Sequence, residues 1–241
     1  YEISLGLVGS EMCIRDRDLK GNWHVPFNPR YSDHRNDDYC EGTAWQWAWF
    51  VPHDIEGLIT LMGGQEKFIG RLDSLFIAES KIEGPLVSSD ISGLIGQYAH
   101  GNEPSHHIVH LYNYVNQSWK TQQLIDTILH TQYFNNPNGL SGNEDCGQMS
   151  AWYVLNAMGF YQVCPGSPIY SVGRPIFDKV TINLPNGKVF EIIANNNSRT
   201  NKYIQSIRLD NILLESPFFM HSDIMKGGKI VMEMGNTPVK Q

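Results

Sequence analysis

Gly139-Leu140-Ser141-Gly142-Asn143-Glu144-Asp145-Cys146-Gly147-Gln148-Met149-Ser150-Ala151-Trp152-Tyr153 reads as a glycine-rich loop that runs into a buried helix. Asn143 or Asp145 is placed to serve as N-cap, and Gln148 stands three residues after Asp145, as in a capping box. Met149, Trp152, Tyr153 and Phe160 recur near the helical period, and Gly159 supplies the stop. Asp145 has two readings, a plain cap or part of a site. The Asn-Glu-Asp run between Gly142 and Gly147 holds more polar groups than a cap needs, and the glycines let a ligand approach the backbone. A carboxylate at the positive end of a helix dipole also stays ionised, as a general base must.

The chain around this stretch has 241 residues, 41% of them hydrophobic, and a net charge of −7. That length gives one large domain or one and a half. The mild acidity argues against nucleic acid or an anionic membrane surface as partner, and no apolar run is long enough to span a bilayer. Cys13, Cys40, Cys146 and Cys164 form no Cys-x-x-Cys pair, although Cys40 adjoins Glu41 and Cys146 adjoins Asp145. Residues 1–17 have the look of sequencing-adapter read-through rather than a signal peptide, because no basic segment precedes their short apolar run. Native sequence is expected to start near Asp18, followed by a helical region over 18–166 and a β-rich segment over 167–241.

Gly21 to Arg35, with Pro26 and Pro29, reads as an ordered loop. Tyr39 to Val51 reads as a buried helix ended by Pro52, with Glu41, Trp45 and Trp49 on one face. An indole beside Glu41 would desolvate its carboxylate and raise its pKa, which suits a general acid; the competing reading is a carboxylate that only starts a helix. Asp54 caps a helix from Ile55 to Met62, and Gln65 to Glu79 forms another with Phe68, Leu72, Leu75 and Phe76 inward. Gly84 to Gly96 reads as loop with a helical turn near Ile91 to Ile95.

Gly101-Asn102-Glu103-Pro104-Ser105-His106-His107 opens the next helix, with Asn102 or Glu103 as cap. Asn102 and Glu103 are hard oxygen donors suited to Ca2+, and His106 with His110 has zinc-pair spacing but no supporting motif. Ser118 to Phe134 is a further helix. Helix after helix across short loops suggests an all-α toroid or bundle. After Pro165 and Pro168 the pattern turns to strands at Lys179–Leu184, Lys188–Ala194, Tyr203–Leu209 and Lys229–Glu233, with hairpin turns at Pro185-Asn186-Gly187 and Asp210-Asn211.

Three of these stretches together resemble glycoside hydrolase family 92, the exo-acting α-mannosidases. They are Cys-Glu-Gly-Thr-Ala-Trp-Gln-Trp at 40–47 with Val-Pro-His-Asp at 51–54, His-Gly-Asn-Glu-Pro-Ser-His-His at 100–107, and Gly-Asn-Glu-Asp-Cys-Gly-Gln-Met-Ser-Ala-Trp-Tyr at 142–153. The resemblance implies a mainly α chain with a β-rich C-terminal tail: part of an (α/α)6 toroid whose N-terminal β-sandwich partner precedes it. It implies Ca2+-assisted, inverting hydrolysis of terminal α-mannose, as in N-glycan degradation, by an exported enzyme, with this segment inactive by itself. Glu41 matches the general acid and Asp145 the general base, an inverting pair that must leave room for water, about 6.5–9.5 Å. Asn102 and Glu103 are implied near the calcium, and Trp45, His106 and His107 at the sugar. Asn143 and Gly101 stand where some members carry acidic residues. Another (α/α)-toroid carbohydrate enzyme, such as a phosphorylase or glucosidase, or a non-catalytic carbohydrate-binding protein, would share much of this pattern.

Overall fold

A computed structural model of the chain describes residues 20, 22–23, 25–34 and 36–240. The segment 1–17 lies outside the described residues. Helices and strands are present in comparable amounts along the described residues, so the mainly helical expectation is corrected to a mixed one. The cause is local: glycines and capping groups cut several helix-like stretches to one or two turns, and short strand pairs occupy the intervals. Two compact units result. One holds the residues up to His106 with Asn138–Glu144; the other holds His107–Pro137 and the chain from Asp145 onward. The β-rich tail shares its core with the preceding helical residues Leu155 and Met158.

In the first unit, β1 (Tyr31–Asp33) is followed by α1 (Ala44–Trp47), α2 (Ile55–Leu61) and α3 (Gln65–Ile77). Asp54 caps α2 as expected, its carboxylate accepting the Gly57 N–H at 2.9 Å. Gly63 and Gly64, with φ of 90° and 95°, separate α2 from α3. Phe68, Leu72 and Leu75 on α3 are wholly buried, and Trp49 meets Phe68 edge to face at 5.4 Å. β2 (Glu83–Leu86) pairs in parallel with β1. The expected helical turn at Ile91–Ile95 is instead a hairpin of β3 (Leu94–Ile95) and β4 (Tyr98–Ala99). Gly96 makes that turn at φ 62°, where a Cβ would fall 2.3 Å from the Leu75 carbonyl oxygen.

The second unit opens with an eight-residue 3-10 helix, Ile108–Val115, buried except at Tyr114 and ended by left-handed Asn116. Then come α4 (Ser118–Thr131) and α5 (Gln148–Met158), the latter stopped by Gly159 at φ 103°. Strands β5 (Phe160–Tyr161), β6 (Ile169–Val172), β7 (Lys179–Asn183), β8 (Val189–Asn195), β9 (Tyr203–Leu209), β10 (Ile212–Leu213) and β11 (Phe218–Met220) follow. Helix α6 (His221–Lys226) and β12 (Gly228–Gly235) end the unit. The main sheet runs β10-β9-β12-β8-β7, with β12 parallel to β8 and antiparallel to β9. Both expected hairpin turns form: Gly187 takes φ 78°, and Asp210 and Asn211 take 46° and 72°, the pair of positive values a type I′ turn requires. Alternate residues of β8 and β12, among them Phe190, Ile192, Ile230 and Met232, fill the core.

Candidate active site

Glu41 does not lie on a helix. Thr43 caps α1, its hydroxyl accepting from Trp45 N while Gln46 reaches back to the Thr43 N–H, so the helix starts at Ala44, five residues later than the expected start at Tyr39. Glu41 precedes that cap in a turn, exposed, with φ 51°. The expected shared face with Trp45 and Trp49 is therefore corrected: the indoles go into the core, 6% and 0% exposed, while Glu41 stays exposed ahead of the helix. The peptide around Glu41 is tied on both sides. The Trp47 indole N–H donates to the Cys40 carbonyl at 2.9 Å, and the Asn102 side-chain amide donates to the Glu41 carbonyl, also at 2.9 Å. Trp45 keeps a buried indole N–H with no hydrogen-bond partner among the described residues.

Asn102 begins a short 3-10 turn, Glu103–Ser105, and its side-chain oxygen accepts the Glu103 N–H at 3.2 Å. It is 6% exposed, while Glu103 is exposed. His106 is buried, its Nε2 bound to the His100 carbonyl at 3.0 Å, and His100 in turn bonds the Tyr98 hydroxyl at 2.9 Å. Burial, with His106 beside it, pushes the His100 pKa well below the usual histidine range. A Cβ on Gly101 would lie 1.9 Å from Ser92 Oγ and 3.0 Å from the Ser141 carbonyl oxygen, so a side chain there requires Ser92 to move. Gly142 is held more tightly, since a Cβ there would lie 2.4 Å from the Gly101 carbonyl oxygen. Asn143 donates to the Asp90 carboxylate at 3.2 Å.

In the second unit Asp145 is exposed and caps nothing. Gly147 is the N-cap of α5, which corrects the expected roles of Asn143, Asp145 and Gln148 in a capping box. The reason is a turn of left-handed backbone: Asp145, Cys146 and Gly147 have φ of 53°, 56° and 100°, and the Asp145 carbonyl accepts from Gln148 N at 3.2 Å. That turn stands before the helix start and leaves the carboxylate outside it. His107, 4% exposed, presents its carbonyl to the His110 N–H. His110, wholly buried, takes no zinc-like position: Nε2 bonds Asn156 Oδ1 at 2.9 Å and Nδ1 bonds Ser171 Oγ at 3.1 Å.

Calcium is a fair test of Asn102 and Glu103. Among the described residues no group of three or more His, Cys, Asp or Glu could hold a metal. The Asn102 carbonyl oxygen keeps a second lone pair and the Glu103 carboxylate is exposed, so the two fit as a minority of the roughly six to eight oxygen ligands calcium takes. Sequence reasoning missed Trp47, Thr43 and Gln46, which build the Glu41 turn; the signals were Gly42, too small to obstruct an indole, and the Thr-x-x-Gln spacing.

The sequence pattern of the glycosyl hydrolase family 92 catalytic domain matches residues 9–236, and the chain belongs to that family. An α-mannosidase of this family from Bacteroides thetaiotaomicron, solved in complex with mannoimidazole, is 40% identical with a TM-score of 0.86, over 94% of this chain and 30% of that one. A family 92 inverting mannosidase from the same species is 38% identical with a TM-score of 0.79, over 93% of this chain and 31% of its own. An uncharacterised secreted glycosidase of Arthroderma benhamiae is 29% identical over 81% of this chain. The chain spans 23% of that relative and about a third or less of the solved enzymes.

Proposed function

We propose that this chain carries the catalytic carboxylates of an exo-acting α-mannosidase that releases terminal α-linked mannose from glycans with inversion. The observation that carries the proposal is the 40% identity over 94% of the chain to a mannosidase solved with mannoimidazole. Inversion has its support in the inverting relative at 38% identity. In this reading the segment is part of an (α/α)6 toroid in a longer polypeptide with a β-sandwich, and export follows from the secreted relative.

Glu41, in its acid form, gives its proton to the glycosidic oxygen as the bond from that oxygen to C1 breaks. Asp145, ionised, takes a proton from a water whose oxygen bonds to C1 from the opposite face. Mannose leaves with inverted configuration, and the two carboxyl groups regain their starting states by proton exchange with solvent. Trp45, His106 and His107 are assigned to the sugar. Asn102 and Glu103 would help hold calcium, which supplies positive charge for the sugar hydroxyls.

The test is hydrolysis of mannobiose by the native polypeptide that carries this chain. Glu41→Gln and Asp145→Asn should each lower kcat by about 10²–10⁴-fold, as loss of general acid or base does. Proton NMR should show β-mannose as the first product. A first product of α configuration, or undiminished turnover by Asp145→Asn, contradicts the mechanism. Chelation and calcium titration should show weaker calcium binding for Glu103→Gln.

A further inference from the structure

The turn that presents Glu41 is held from two directions, and neither hold belongs to the carboxylate itself. Cys40 and Glu41 supply consecutive carbonyls. The first accepts the Trp47 indole N–H at 2.9 Å, the second the Asn102 amide at 2.9 Å. Glu41 between them is left-handed, at φ 51°, a conformation that disfavours a side chain with a Cβ and persists where surrounding contacts over-determine it. Gly42 admits the indole: a Cβ there would lie 2.6 Å from Trp47 Nε1 and 2.8 Å from its Cδ1. Trp47 is fixed by the capped turn of α1, whose Gln46 amide also reaches the Gln97 carbonyl. Asn102 is fixed by its own cap to Glu103 N and by burial.

We infer that Trp47 and Asn102 are positioning residues for the Glu41 proton donor, acting on its backbone rather than on substrate. This rests on Glu41 being the general acid, and it gives Asn102 a role that is independent of calcium. A carboxyl on a free turn would sample many directions. Two hydrogen bonds on adjacent peptides leave it only its own side-chain rotations, and proton transfer falls steeply with misplacement of the donor.

The consequence is specific to the leaving group. The mannose unit expelled from mannobiose leaves as an alkoxide unless protonated, whereas a dinitrophenyl leaving group departs as a phenolate without help. Trp47→Phe keeps the ring and removes the N–H; Asn102→Asp keeps the oxygen that accepts Glu103 N and removes the donor. In the native polypeptide each should lower kcat on mannobiose about 10- to 100-fold, and in Trp47→Phe KM should stay within about twofold and turnover of 2,4-dinitrophenyl α-mannoside within about threefold. The second substrate also serves as the folding control, since a variant that fails to fold loses both. Calcium affinity should be unchanged in Trp47→Phe. Parallel loss on both substrates in Trp47→Phe with a wild-type thermal midpoint, or full activity of either variant on mannobiose, overturns the inference. Glu41→Gln must show the same leaving-group pattern. If the wild type is active and Glu41→Gln does not show it, the assignment of Glu41 as acid fails, and the positioning roles fail with it.

Discussion

Glu41 and Asp145 share a backbone feature that their side-chain chemistry does not require: both are left-handed, at φ 51° and 53°. Non-glycine residues in this region carry about 1–2 kcal/mol of strain each, and such residues gather where a side chain must be aimed off the regular elements. Cys146 shows the effect most cleanly, because it is exposed, left-handed at φ 56°, and belongs to the same turn as Asp145. Its substitutions alter backbone preference with little change in packing. Cys146→Gly should leave stability unchanged or raise it by up to about 1 kcal/mol, the relief of φ being offset by a freer unfolded chain. Cys146→Val, branched at Cβ, should lower stability by about 1–2 kcal/mol. Urea unfolding of the two variants orders them, and a valine variant more stable than the glycine one would show that the turn is not left-handed in solution. None of this was legible in the sequence: Asp before an apolar run reads as a cap, and only the dihedral angles reveal the left-handed turn that holds it off the helix.

Helix α4 shows what an element needs besides its apolar face. Ile125, Ile128 and Leu129 are buried as the periodicity predicts, but Asp126 is buried too, 7% exposed, among cations. Its carboxylate lies 3.1 Å from Arg174 Nε and 3.4 Å from Lys202 Nζ, and Arg174 extends to the carbonyls of Pro175 and Ser198. One carboxylate thereby ties α4 to the segment after β6 and the loop before β9. Asp126→Asn should lower stability by about 3 kcal/mol, because it strands the buried Arg174 charge. Glu191→Gln, which breaks the exposed pair with Lys179, should change it by less than about 1 kcal/mol. Equal effects in thermal unfolding would mean that Asp126 is solvated. The strands and turns of β7 to β9 and β12 were readable because alternation and turn residues such as Asn186-Gly187 and Asp210-Asn211 are local signals. Asp126 was not, since its partners lie about fifty to seventy-five residues away. The α1 turn was misread for a related reason: three tryptophans suggested a long helix, whereas the Thr43–Gln46 capping box sets its start and leaves Glu41 outside.

At the scale of the whole molecule, acid should act through His110 as well as through the carboxylates. Its ring is enclosed by Asn156 on α5, Ser171 on β6 and the stacked Tyr161 on β5, centroids 5.4 Å apart, with His107 the nearby titratable group. Asn156 gives its amide N–H to the Trp152 carbonyl, so its oxygen must accept from His110 Nε2, and Nδ1 is left to accept from the Ser171 hydroxyl. A second proton on His110 would break that last bond and charge a ring with no exposed surface. Burial accordingly holds its pKa at about 4, against 6.5 when unfolded. Because the folded value is depressed, the unfolded chain binds more protons between these limits, and stability rises with pH. The contribution is fully present above pH 6.5, falls as pH drops toward 4, and amounts to about 3 kcal/mol across the window. His110→Gln, which cannot titrate, should unfold with a flatter dependence on pH between 6.5 and 4 than the wild type, by most of that amount. Chemical denaturation at half-unit pH steps compares the two slopes, and superimposable profiles would mean that His110 titrates alike in the folded and unfolded chain.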